Sequence, residues 1–245
     1  MRSANPALNK GTFRDQRLAG GETMSLQGTV NKTAILLLLT IGTAGWTWTR
    51  FFEQGSGSVS LWMAVGGIGG LIVAIATVFK KTWSPLTAPL YAGLEGLALG
   101  GISAYFESRF PGIAMQAVSL TFGTLLGLLL AYKSGWIKVT ENFRLGVFAA
   151  TFAIMGVYLC NIVLGFFGIR LPFIHEGGTF GILFSAFVVI VAAMNLVLDF
   201  DFIESGADSG APKYMEWYGA FGLLVTLVWL YIEILHLLAK LRSRR

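Results

Sequence analysis

Seven long apolar stretches, at about 33–51, 59–79, 86–106, 114–132, 145–167, 178–203 and 214–239, set the organisation of this chain. Each holds close to the twenty or so residues that a helix rising about 1.5 Å per residue needs to cross a bilayer. The polar runs between them are short, so no second folded domain is expected, and no internal repeat is apparent. Before the first stretch, residues 1–31 are polar, with Arg2, Lys10, Arg14 and Arg17 set against Asp15 and Glu22. A secretory signal would place an apolar core directly behind its first basic residues, and none stands there. The pattern predicts an all-α membrane protein with three parts. These are a mobile N-terminal tail over 1–31, a seven-helix transmembrane domain over 32–241 and a basic C-terminal tail over 242–245.

Composition agrees with the pattern. The chain is 55% hydrophobic and 13% charged, about half the charge usual in a soluble domain. Its net charge of +5 lies mostly at the ends and in short connections, where anionic headgroups and membrane orientation account for it. No nucleic-acid-binding pattern is present. The one cysteine, Cys160, excludes an internal disulfide and any cysteine-based metal site.

Lysine and arginine predict sidedness. With the N-terminus inside, Lys32, Lys80, Lys81, Lys133, Lys138 and Arg144 fall on the cytoplasmic side. The opposite connections carry Arg50, Arg109 and Arg170, each with an acid nearby (Glu53, Glu107, Glu176). The bias favours N-inside. The basic end of the chain would then emerge outside and the acidic loop Asp199 to Asp208 inside, against the rule, so early charges are expected to fix the topology.

Glycines recur within the spans: Gly42 and Gly45, Gly66 to Gly70, Gly93, Gly96 and Gly100, Gly123 and Gly127. Water drives no helix association in lipid, and small residues let backbones approach and gain van der Waals contact. Close helix packing is the expected use of these positions. A phosphate-binding loop is excluded at Gly66 to Gly70, because no strand precedes it and no Lys-Ser or Lys-Thr follows.

Candidate chemistry lies in the polar groups at membrane depth. Glu95 sits near the middle of the third span and Asn161 in the fifth. Asn195 and Asp199 stand four apart on the sixth, and Glu233 and His236 three apart on the seventh, with Lys240 further on. A charge at bilayer depth costs on the order of 3 kcal/mol, so such residues face a bundle interior or a water-filled cavity. A polar pathway through Glu95, Asn161, Asn195 and His236 is therefore expected. Local alternatives stand beside it. Glu233 could pair with His236 and reach the interface through Lys240. The asparagines could serve only as interhelical hydrogen-bond partners. Glu95 could be a neutral packing donor. No Gly-x-Ser-x-Gly and no His-Glu-x-x-His occurs, and the other histidine, His175, lies in a connection. Neither an enzyme nor a cofactor is expected.

Two segments carry a resemblance. The sixth span closes with Leu-Val-Leu-Asp-Phe-Asp-Phe-Ile-Glu (196–204), and the chain closes with Leu-Tyr-Ile-Glu-Ile-Leu-His-Leu-Leu-Ala-Lys-Leu (230–241). With the seven-span layout and Glu-Gly-Leu-Ala-Leu-Gly-Gly (95–101), they resemble the Bax inhibitor-1-like membrane family, its bacterial branch above all. The resemblance implies a bundle with the last helix central, in an inner (plasma) membrane with the N-terminus cytoplasmic. It also implies a pH-sensitive calcium leak gated by two carboxylates that share a proton when closed. Asp199 matches the first, and Glu233 the second, where the family usually has aspartate. Calcium or protons would be the permeant ions, with transient calcium ligation by Asp199 and Glu233. Two nearby carboxylates cannot both ionise cheaply, which would make such a pair proton-sensitive. Two features depart from the family. The stretch between the matched acids is longer, with Gly206 to Pro212 as the expected insertion. The second span carries no arginine as a counter-ion, and Arg50 at the end of the first is a poor substitute. The alternative class is a non-conducting membrane-embedded regulator that binds another membrane protein, such as a protease. A proton-coupled transporter is disfavoured by the lack of inverted repeats.

Overall fold

The computed structural model describes residues 22–167 and 178–244. Seven α-helices follow one another among them: α1 (Leu26–Gln54), α2 (Ser60–Phe79), α3 (Ser84–Arg109), α4 (Ile113–Lys133), α5 (Glu141–Phe166), α6 (Thr179–Asp208) and α7 (Met215–Ser243). Six are long and apolar enough to cross a membrane, and α3 is the exception. The reason is its position. It packs between α1 and α2 and also touches α7, so its surface of small residues meets protein where the other helices meet lipid.

The span boundaries follow the hydropathy pattern closely, with three differences. First, α1 begins at Leu26, before the boundary expected between 31 and 32, because Ser25 caps it by accepting a hydrogen bond from the Gly28 amide. Residues 1–21 of the expected tail lie outside the described residues, as do Arg170, His175 and Glu176. Second, the expected acidic loop from Asp199 to Asp208 is helical, the last turns of α6. Apolar Phe200, Phe202 and Ile203 keep that segment buried among its neighbours and hold the helix together past Asp199. Third, α7 continues through Ser243, so the first two residues of the expected C-terminal tail are helical.

Glycine packing is concentrated on α3. A Cβ on Gly66 of α2 would lie 2.5 Å from the Leu94 carbonyl oxygen and 2.8 Å from the Ala98 nitrogen. One on Gly96 or Gly100 of α3 would fall on the backbone of Thr40 or Ala44 in α1. These approaches gain dispersion contact that any side chain would forfeit. Gly42, Gly45, Gly67, Gly93, Gly123 and Gly127 have open space beside them. The expectation of close packing fails at those six positions.

The principal neighbours of α7 are α1, α3, α4 and α6, while α2 packs chiefly on α3 and α5 on α6. At the end of the molecule that carries the start of α1, residues 23–24 lie against the turn between α6 and α7. Thr23 bridges Pro212, and the Met24 amide donates to the Ala211 carbonyl at 2.7 Å. The fully buried Glu216 carboxylate holds this junction. It accepts from the Ser25 amide and hydroxyl, each at 2.9 Å, and pairs with Lys32 and, at 3.2 Å, with Lys213. It also fills the space beside Gly28, so α1 docks there only without a side chain at that position. Nearby, Lys81 stands 5.8 Å over the Tyr218 ring, and burial pushes its ammonium below the usual lysine range.

Candidate polar seam between helices α5, α6 and α7

One face of α5 carries Val147, Thr151, Ile154, Tyr158 and Asn161 at spacings of three and four. It runs antiparallel to α6, because Arg144 near its start reaches Asp201 near the end of α6 at 2.7 Å. The α6–α7 register follows from three contacts. Ile203 lies against Gly219, Trp229 packs with Val188 and Val191, and the Lys240 ammonium reaches Ser185 Oγ at 2.8 Å. These contacts stack the polar residues of the three helices into one column.

At one end of the column Asp199 is fully buried, one turn from Ile203 and one turn from Asn195. The Asn195 amide donates to Thr151 Oγ1 on α5 at 2.9 Å and to the Val191 carbonyl at 2.9 Å. This is the interhelical role that asparagine commonly plays in membranes. At the other end Glu233, 4% exposed, accepts a hydrogen bond from the Tyr158 hydroxyl at 2.8 Å. The Trp229 side chain, one turn back on the same helix, also hydrogen-bonds to it. Lys240 attracts it electrostatically, yet donates to Ser185 Oγ and, at 3.3 Å, to the Gly181 carbonyl. The local Glu233–Lys240 arrangement is thus replaced by one that spans helices.

Between the Asn195–Thr151 pair and Glu233, Ile154 and Val191 pack with Val188, all at most 3% exposed, and with Trp229. This cluster forms an apolar plug across the column. The register does not bring Asp199 and Glu233 together. Asp199 lies about nine residues from the end of α6 at Asp208, and Glu233 about eighteen from the start of α7 at Met215. The offset separates them by roughly 14 Å along the seam. A proton shared directly between them, or one ion held by both, does not fit this spacing. Among the described residues no three His, Cys, Asp or Glu side chains cluster as a metal site.

The other expected members of the pathway are scattered. Asn161 is on the α5 face of the seam, half-buried. Glu95 lies at the α2–α3 interface, where a Cβ on Gly70 would come within 2.8 Å of its Oε2. His236 stacks edge-on to Phe106 of α3, ring centroids 5.6 Å apart. Glu95 therefore faces away from the seam, and His236 reaches α3. The acids beyond Asp199 serve the junction of α4, α5 and α6: Asp201 pairs with Arg144, and Tyr132 donates to Glu204.

Tyr158, Ser185 and Trp229 were not legible as site residues. Only Trp229 left a local signal, one turn before a membrane-depth carboxylate. Tyr158 and Ser185 reach the site through interhelical register, which no single span encodes.

A family model described as Bax inhibitor 1 like matches residues 5–243. Neither a curated protein nor a solved structure matches the chain.

Proposed function

Since the chain belongs to the Bax inhibitor 1 like family, we propose that it is a pH-sensitive, calcium-permeable leak, with Asp199 and Glu233 as its proton-binding carboxylates. The membrane is a bacterial-type inner membrane, the N-terminus is cytoplasmic, and α7 is the helix around which the bundle is organised. The observation that carries this reading is the seam: two buried carboxylates face one interhelical column from opposite ends. The family resemblance implies a proton-sensitive latch in these helices, and the geometry adapts it. The carboxylates act as separate stations, one on each side of the plug of Ile154 and Val191.

In this conformation the apolar plug closes the path, with the Asn195–Thr151 pair on the Asp199 side of it. Opening requires α5 to draw away from α6 and α7. Helix α5 suits that motion, since its packing is chiefly on α6 alone. Few buried contacts mean a low cost of local movement. Protonation and deprotonation at each end change the cost of water or a cation entering beside the plug. A passing calcium ion meets one carboxylate at a time, a multi-site arrangement weak enough to release it.

The test is calcium flux into dye-loaded proteoliposomes at pH 6, 7 and 8, comparing wild type with Asp199→Asn and Glu233→Gln. Flux that depends on pH in the wild type and loses part of that dependence in each variant supports the reading. A wild type silent at every pH, with variants to match, ends it and favours the non-conducting regulator, to be sought by co-purification of a membrane partner.

A further inference from the structure

The end of the seam beyond Glu233 holds a cation. Lys240 stands seven residues after Glu233, two turns along the same face of α7. Long side chains on a helix lean towards its N-terminus, so the ammonium lies back towards the carboxylate. The two attract each other electrostatically. The ammonium is nonetheless taken up by α6, donating to Ser185 Oγ at 2.8 Å and to the Gly181 carbonyl at 3.3 Å. Ser185 is buried and follows Phe184, whose ring centroid lies 6.2 Å from that of Tyr158. Tyr158 in turn donates to Glu233. Lys240 is therefore held on the same column, at its Glu233 end and on the side away from the plug.

A fixed ammonium here acts on any cation that approaches Glu233. Arg242, two residues on, is fixed instead to the α3–α4 turn, by the Pro111 carbonyl at 2.7 Å and Gln116 Oε1 at 2.8 Å. The hydrogen-bond acceptors of Lys240 are a hydroxyl and a carbonyl, and neither neutralises its charge. Its positive charge therefore competes with an incoming ion for the field of the carboxylate. Coulomb energy follows the product of the charges, so at one place a divalent ion is repelled by the ammonium twice as strongly as a monovalent one.

We infer that Lys240 is a tethered cation that sets how the seam divides calcium from monovalent cations at Glu233. The assignment rests on the proposed reading of the seam as the ion path. With the ammonium in place, Glu233 holds an incoming calcium ion weakly, which lets the ion leave again. Without it, calcium gains more than potassium. Because the repulsion doubles with the charge, a factor gained by potassium is squared for calcium. A role in packing alone would move both ions together.

The experiment measures calcium and potassium flux through the full chain in proteoliposomes, at ion concentrations well below saturation, for wild type, Lys240→Gln and Lys240→Arg. Glutamine keeps a donor for Ser185 and the Gly181 carbonyl while it removes the charge. Lys240→Gln should raise potassium flux about threefold and calcium flux about tenfold. Lys240→Met gives the same readout should Lys240→Gln not fold. Lys240→Arg keeps the charge and should match wild type in the ratio of the two fluxes. An equal rise for both ions overturns the assignment, as does an unchanged ratio in the neutral variants while wild type conducts. A Lys240→Arg ratio like that of Lys240→Gln, or a wild type that carries calcium and excludes potassium, does so as well. A wild type that carries neither ion ends the reading of the seam as a path, and the assignment falls with it.

Discussion

The interface of α3 with α1 and α2 and the seam of α5 with α6 and α7 answer the same problem in opposite ways. Around α3 the contacts are backbone on backbone. Gly66, Gly96 and Gly100 leave no room for a single methyl, and the threonines of α1 return their hydroxyls to carbonyls one turn back, as Thr33 does to Thr29 at 2.9 Å, with Thr40 also reaching the Ala92 carbonyl of α3 at 3.2 Å. Along the seam the contacts between helices are made by long side chains, Tyr158 and Lys240, reaching across to polar partners. A glycine interface has one arrangement and a steep cost for leaving it. Side-chain bridges can be broken and remade, which is what a moving helix needs. On the proposed reading, the first half of the bundle is the rigid part and the second the part that moves.

Substitutions should separate the two. The largest loss of stability is expected at the junction that ties α1 to α7. Lys32→Ala leaves the buried Glu216 with Lys213 as its remaining cation and should cost about 3 kcal/mol, read from the thermal transition in detergent micelles. Gly100→Leu should come next, at about 2–3 kcal/mol, because the new side chain meets the Ala44 backbone. Gly123→Leu, in open space, should stay within about 0.5 kcal/mol. Equal effects from these two would remove the claim that α3 packing is the rigid element. In the seam, Tyr158→Phe should cost about 1 kcal/mol by deleting one hydrogen bond. Smallest, Asn195→Leu should cost about 0.6 kcal/mol, the mean for interhelical hydrogen bonds in a membrane protein. A seam substitution as costly as Gly100→Leu would mean that α5 is held as firmly as α3.

Much of this was legible in the chain. Seven helices stand out from the apolar pattern, six of them long and apolar enough to cross a membrane, and the carboxylates Asp199 and Glu233 from their depth within them. The depth signal could not tell which face each group presents. Glu95 sits on the α2 side of α3, away from the column it was expected to line, and His236 meets Phe106 of α3, because interhelical register decides the matter. The pairing of Asp199 with Glu233 fails for the same reason. Residue counts from the α6–α7 turn already limited it, and the extension of α6 to Asp208 shortens the gap without closing it. Glu216 was missed because an acid in the first turn of a helix reads as a favourable dipole partner on the surface. Its burial comes from Ser25 and Lys32, nearly the whole chain away.

The most direct test of a path along the seam is calcium flux through the full chain in proteoliposomes carrying one serine on each side of α7. Val191→Ser places a hydroxyl in the apolar plug, and Val118→Ser places one on the exposed face of α4. A conducting seam predicts that Val191→Ser raises flux several-fold over wild type while Val118→Ser leaves it unchanged. Flux that does not respond to Val191→Ser, or that responds equally to both, would contradict the account.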